Sequence, residues 1–285
     1  MKKQLLHTLN ERIQDFVDHN RTDLHEKARR KRELCSKRKV DIIKVNANAQ
    51  IRKVIPLQEE KQVYYYVHLK YLLKQDDHFY IEEEVEERVA LFTDENLVRD
   101  IEVMKEEEEF EGSQEVAEDE RVHFLYDRRK AVQYAEYWWN SNNPAYKSFE
   151  VDCTNFISQC LHAGGAPMRG YPNRGKGWWM RSNNWSYSWS VANSLRWHLP
   201  SSNVGLRGIE VQFPQQLQLG DVICYDFEGD GRFDHNTIVT AKDAYGMPLV
   251  NAHTTNSRMR YWNYEDSTAY TPEIQYKFFT IEDDS

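Results

Sequence analysis

The sequence predicts an α+β fold in two domains: residues 1–104 as a helix with a curved antiparallel sheet, and residues 122–285 as helices followed by short strands. Three observations predict it. Apolar residues recur at helical spacing over 5–17, and the texture then changes to four β-rich runs ending near Val103. Lys105–Glu120 holds nine acidic residues around a Gly-Ser-Gln break, the composition of a solvated acidic linker, placed at 105–121. Beyond it the chain is richer in aromatics and sets one strongly apolar helix before a series of short strands. A length of 285 residues is enough for two cores of ordinary size.

In the first half, Leu5, Leu6, Leu9, Ile13, Phe16 and Val17 make one face of the opening helix. The basic cluster Lys27, Arg29, Arg30, Lys31, Arg32, Lys37, Arg38 and Lys39 has no base- or phosphate-binding spacing and reads as a solvated helix face. The β runs Val40–Val54, Gln62–Leu73, Phe79–Leu91 and Asn96–Val103 include the turn residues Asp76-Asp77 and Thr93-Asp94-Glu95-Asn96 between them. In the second half, Tyr126–Asn140 is helical, with Ala131, Tyr134, Ala135 and Trp138 on one face, and Asn-Ser-Asn-Asn-Pro ends it. A second helix follows, then an irregular Gly/Trp/Asn-rich stretch over 164–190. Short strands come last: Val222–Phe227, His235–Thr240 and Pro248–His253, the final two forming a hairpin centred near Ala244.

The bulk numbers exclude several function classes. A net charge of −9 and a pI near 5.6 argue against general nucleic-acid binding. No run reaches the ~18–20 apolar residues of a membrane span. The basic N-terminus meets a charge before any apolar stretch develops, so no signal peptide is visible, and the expectation is a cytoplasmic chain or export by another route. Cysteines at 35, 153, 160 and 224 form no CxxC pair and read as reduced thiols.

One segment carries chemistry. In Phe149–Leu161, Cys153, Phe156, Ile157, Cys160 and Leu161 share one helical face closed by Gly164-Gly165. Periodicity alone makes Cys153 a core residue. Its position alters that: Asp152 is a good N-cap residue, so Cys153 sits in the first turn, where unpaired amides and the helix dipole favour a thiolate. Cys160 is mid-helix and reads as packing. A thiolate nucleophile also needs a base and a group to orient it. The hairpin brings His235 opposite residues of about 251–254, so that His235, Asn251 and His253 converge. The Cys153 amide points out of the helix start as an oxyanion donor.

Four ordered motifs resemble bacterial amidase-like domains related to the NlpC/P60 and CHAP cysteine peptidases. Asp-Cys-Thr-Asn-Phe-Ile-Ser-Gln at 152–159 looks like their nucleophile helix, and Leu-Gly-Asp-Val at 219–222 like the strand entry before the base. Asp-His-Asn-Thr-Ile-Val at 234–239 resembles the base strand, and Val-Asn-Ala-His at 250–253 the strand of the third residue. The similarity covers roughly 122–280. It implies a papain-like NlpC/P60-type catalytic domain, its nucleophile helix packed on a small antiparallel sheet, with Cys153 as nucleophile, His235 as base and Asn251 orienting the imidazole. His253 is the reserve for that third role, Asp152 a supporting residue, and Tyr134 a counterpart of an upstream hydroxyl seen in some relatives.

Two further features complete the expectations. Asp226, Glu228, Asp230 and Asp234 alternate around glycines like the start of a calcium loop, but position twelve is Thr237; a polar turn and a structural calcium both fit. Trp178, Trp179, Trp185 and Trp189, with Asn184, fit either a substrate groove or an aromatic minicore. The expected function is a cysteine hydrolase cleaving an amide bond, with peptidoglycan stem peptides or another peptide as substrate and no cofactor required. Acyl transfer through a Cys153 thioester and an inactive wall- or peptide-binding module are the alternatives. The N-terminal domain is expected to bind a protein or wall partner, and the resemblance makes cell-envelope association compatible.

Overall fold

The computed structural model describes residues 1–18, 20–21, 25–105 and 123–284. In chain order these form helices α1 (Lys2–Val17) and α2 (Glu26–Lys37), then strands β1 (Asp41–Pro56), β2 (Glu60–Gln75), β3 (His78–Thr93) and β4 (Asn96–Glu102). Helices α3 (Arg128–Trp138) and α4 (Cys153–Ala163) follow, with short strands β5 (Met180–Arg181) and β6 (Asn184–Trp185) and helices α5 (Tyr187–Ser190) and α6 (Ala192–Ser201). The last part is β-rich: β7 (Arg207–Val211), β8 (Val222–Asp226), β9 (His235–Lys242), β10 (Pro248–Ala252), β11 (Ser257–Tyr261) and β12 (Gln275–Glu282). The fold is α+β, with antiparallel sheet predominant. It divides into two units, Met1–Met104 with Thr255–Tyr270, and Lys105–Thr254 with Thr271–Ser285. Thr255–Tyr270 falls inside the expected 122–285 domain yet belongs to the first unit. Apart from Lys105, the expected linker at 105–121 lies outside the described residues.

The first unit follows from alternation. Along β2 every second residue from Val63 to Leu73 is buried, so one face of the sheet is apolar. That face packs on Leu5, Leu9 and Phe16 of α1 and on Ala28 and Cys35 of α2. β1, β2 and β3 form an antiparallel meander, Asp41↔Lys74 and Glu60↔Thr93 marking its ends, and β4 and β11 both pair with β3.

The solvated reading of the basic cluster needs correction at α2. Lys27 and Lys31 are buried because they face carboxylates on the same side of β3. Lys27 Nζ lies 2.6 Å from Glu86, 3.1 Å from Glu84 and 3.4 Å from Glu102. Lys31 pairs with Glu82, and with Asp266 at 2.9 Å. Burial alone would lower the Lys27 pKa, but the three carboxylates hold the ammonium above its ordinary value. Arg38 is also buried, 3.7 Å over the Tyr261 ring.

The second unit holds a sheet of order β10-β9-β8-β12-β7. Helices α3 and α4 contribute Ala131, Ala135, Phe156, Ile157, Cys160 and Leu161 to one core with Val222, Ile238 and Phe279 of the strands. Asp127 caps α3, its side chain accepting from Lys130 N at 3.0 Å. The β9–β10 hairpin forms as expected, Lys242 opposite Pro248 and Ile238 opposite Asn251. Among the described residues no helix is long and apolar enough to cross a membrane.

Candidate active site

Helix α4 is buried almost all round rather than along one stripe. Thr154, Asn155, Ser158 and Gln159 are buried with the apolar face, and each has a hydrogen-bond partner. Thr154 Oγ1 accepts from Asn236 Nδ2 at 3.0 Å. Asn155 donates to Lys147 O and accepts from Trp189 Nε1 at 2.8 Å. Ser158 Oγ donates to Trp189 O and accepts from Trp178 Nε1 at 3.0 Å. Gln159 Oε1 accepts from the Tyr134 hydroxyl at 2.6 Å, and Tyr134 in turn accepts from Asn143. Burial pushes the Tyr134 phenol above its ordinary pKa, so it acts as a neutral donor. At the far end Gly165 takes φ +101°, and a Cβ on Gly164 would lie 2.4 Å from Tyr126 Cε2, so the glycine pair lets the helix stop against that ring.

These bonds correct part of the groove expectation. Trp178 and Trp189 are buried against α4, their indole N–H groups donating to Ser158 and Asn155, and Trp179 is buried with its indole N–H donating to Asn173 O and Lys176 O. Trp185 and Asn184 remain half-exposed.

Cys153 is the first residue of α4 and is 1% exposed. Asp152 stands at the N-cap position, but its carboxylate accepts no helical amide. One oxygen takes Phe149 N and Asn155 Nδ2, both at 2.9 Å, and the other faces His253 Nδ1 at 2.9 Å. The capping role falls to Thr254, whose Oγ1 accepts from both Asp152 N and Cys153 N at 3.2 Å. Thr254 holds φ +79°, an uncommon conformation for a β-branched residue. No local pattern signals it, since the cap comes from a residue 101 positions away.

His235 opens β9 opposite Tyr225 of β8 and packs against the Tyr225 and Phe227 rings, at 5.6 and 6.1 Å, the two rings being 6.0 Å from each other. The next residue, Asn236, makes the bond to Thr154, which follows Cys153. The start of β9 and the start of α4 therefore meet, with His235 and Cys153 each one residue from the bond that joins them. Asn236 Oδ1 is buried without a hydrogen-bond partner among the described residues.

Asn251 is fully buried, three positions along β9 from His235 by register. Its Oδ1 accepts from Thr240 Oγ1 at 2.9 Å, and Nδ2 donates to Glu136 at 2.8 Å. His253 is stacked on Phe156 at 3.9 Å, its two nitrogens facing Asp152 and Trp138 O. It braces the turn before Cys153.

In the acidic turn, carboxylate oxygens of Asp226, Glu228 and Asp234 lie within 4.8 Å of one another. Burial, Glu228 and Asp226 push the Asp234 carboxyl up to about 7, against a lowering bond from Phe227 N. Asp230 stands apart from this group, its side chain accepting from Arg232 N. Asp226 also accepts from the amides of Gly229, Asp230 and Gly231, which shape the turn.

A family model described as "Putative amidase domain" matches residues 125–279, more than half of the chain and the whole of the site. The chain belongs to this amidase domain family. Its description assigns amide hydrolysis, a reaction at a C–N bond. Among curated relatives, the chain is similar to "Uncharacterized protein YhbB" of Bacillus subtilis (strain 168), 57% identical over 267 residues, covering 90% of this chain and 86% of that protein. It is also similar to "Uncharacterized protein YjcM" of the same organism, 30% identical over 140 residues, covering 46% of this chain and 31% of that one. No solved structure matches.

Proposed function

We propose that this amidase-family chain is a cysteine hydrolase with a papain-like, NlpC/P60-type arrangement of nucleophile helix on antiparallel sheet. The observation that carries the reading is the Asn236–Thr154 bond, which ties the first turn after Cys153 to the strand that His235 opens. Cys153 Sγ attacks the amide carbonyl while His235 takes its proton; the imidazolium then protonates the departing amine, leaving a thioester that water hydrolyses. The Cys153 N–H is the proposed oxyanion donor, the substrate oxygen replacing the Thr254 hydroxyl on it. Asn251 is the proposed orienting group, its side-chain carbonyl being an acceptor carried on β10, the strand paired with β9.

The proposed substrate is an amide or isopeptide bond in the peptide part of bacterial peptidoglycan. Mass spectrometry of products from purified wall fragments tests both proposals together. Loss of turnover in Cys153→Ala is expected, and parental rates in that variant would sink the cysteine mechanism. Acyl transfer separates from hydrolysis by an added amine, which would appear in the product. The Asp226, Glu228 and Asp234 carboxylates form the proposed site of a structural calcium ion.

A further inference from the structure

From Cys153 to Ile209 the chain holds no Asp or Glu at all, although 46 of its 285 residues are acidic. The same stretch carries Arg169, Arg174, Lys176, Arg181, Arg196 and Arg207. A protein of net charge −9 thus keeps one long run of sequence without acidic residues, and that run begins at the candidate nucleophile.

Its cations next to α4 are held by aromatic rings rather than by carboxylates. Lys147 Nζ lies 4.5 Å from the centroid of Trp185 and 5.8 Å from that of Phe149. The Arg174 guanidinium lies 4.8 Å over both Trp185 and Tyr187, and its Nε donates to Trp185 O at 3.0 Å. Arg181 lies 5.1 Å over Tyr171. Lys147, Arg174, Lys176 and Arg181 have no carboxylate partner among the described residues, whereas Lys27, Lys31, Arg88 and Arg207 are all paired. The cluster is anchored to the candidate site by Asn155 Nδ2, which binds Lys147 O at 2.9 Å only two residues after Cys153.

We propose that Lys147 and Arg174, set around Trp185, form a subsite for a carboxylate of a peptide substrate. It rests on the reading of Cys153 as nucleophile only in making the bound peptide the one that is cleaved. Unpaired cations on an aromatic platform lose little solvation to the ring and keep donors for an anion. Asp152 is the acid nearest in the hydrogen-bond network, through Asn155, but its oxygens are taken up by Phe149 N, Asn155 Nδ2 and His253 Nδ1, and the cations keep their donors for an anionic ligand. The Trp185 face is already taken by the two cations, so it supports ionic recognition of a carboxylate and not the open stacking that a nucleobase requires.

The test measures binding without catalysis, in the full-length Cys153→Ala protein, by titration calorimetry. The ligands are a muramyl tetrapeptide with free side-chain carboxylates and the same peptide with those groups amidated. The expected result is several-fold tighter binding of the acid form, with the preference lost in Lys147→Ala/Arg174→Ala and suppressed between 50 and 500 mM NaCl, an effect of about tenfold for two part-exposed charges. An Arg174→Lys protein retains part of the preference, and thermal melting verifies that each variant is folded. Equal affinity for the two peptides, binding of neither, or a preference that survives the double substitution overturns the proposal. Tighter binding of an oligonucleotide than of either peptide overturns it as well. Hydrolysis by Cys153→Ala would fail the nucleophile reading separately and leave the binding comparison intact.

Discussion

Thr254 offers the sharpest perturbation, because its side chain and its backbone pull in opposite directions. Its hydroxyl accepts from the N-cap amide of Asp152 and from the first amide of α4, at 3.2 Å each, and replacing such a cap costs about 1–2 kcal/mol. Its φ of +79° costs a β-branched residue on the order of 1 kcal/mol, which glycine does not incur. Thr254→Ala therefore loses the cap and keeps most of the backbone cost, for a net loss of about 1–2 kcal/mol. Thr254→Gly loses the cap but relieves the backbone and falls about 1 kcal/mol above Ala. Thr254→Ser keeps both hydrogen bonds and stays within about 0.5 kcal/mol of the parent. Seven of the eight tryptophans lie in the second unit, so denaturation followed by tryptophan fluorescence reports mainly on the part that contains α4. The expected order of stability is Thr and Ser above Gly, and Gly above Ala. An Ala variant as stable as the parent would refute the capping argument, and a Gly variant below Ala would refute the backbone argument.

The remaining predictions concern buried charge. Burial lowers the His198 pKa to about 4, so this imidazole is neutral in the folded state while an unfolded one titrates near 6.5. Its stabilising contribution is complete above the unfolded value and is lost as pH falls from about 6.5 towards 4, reaching about 2 kcal/mol at pH 5; urea midpoints at pH 7.5 and 5 measure it, and His198→Leu flattens the difference. Lys27→Met leaves Glu84, Glu86 and Glu102 facing one another without their ammonium and costs about 3–5 kcal/mol, read by circular dichroism on melting; a change below 1 kcal/mol would show that water reaches these groups. Equilibrium dialysis is expected to find one calcium per chain and none in Asp226→Asn; equal uptake by the two proteins would remove the metal from the acidic turn.

What the sequence showed follows from which interactions are local. The meander β1–β3 was legible because its strands are long β-rich runs with turn residues between them, and the observed strands extend the read ones by one or two residues at most ends. The β9–β10 hairpin was legible for the same reason. Three of the four tryptophans placed in the groove were not, since periodicity cannot say whether an indole N–H ends at Ser158, at Asn155 or in solvent. The basic cluster misled at Lys27 and Lys31 because charge is usually solvated, and their partners lie 51 to 75 residues away on β3 and β4 and, for Asp266, 235 residues away. Asp152 has the composition of a cap without its geometry, as the His253 imidazole and the Phe149 amide claim its oxygens first.

The segment Thr255–Tyr270, which carries β11 and Asp266, sets an order on the making of the protein. The first unit lacks Asp266 until the chain has been synthesised beyond the second unit's main body, yet Asp266 is where Lys31 and Arg260 find a carboxylate at 2.9 Å. A ribosome-bound chain that ends at residue 104 carries the helices and the meander but not the counter-ion, and burial of Lys31 beside Glu82 alone is less well compensated. Completion of the first unit during translation therefore waits on residues 255–270, so expression of 1–104 as a separate fragment yields a less stable fold than the same residues have in the whole chain.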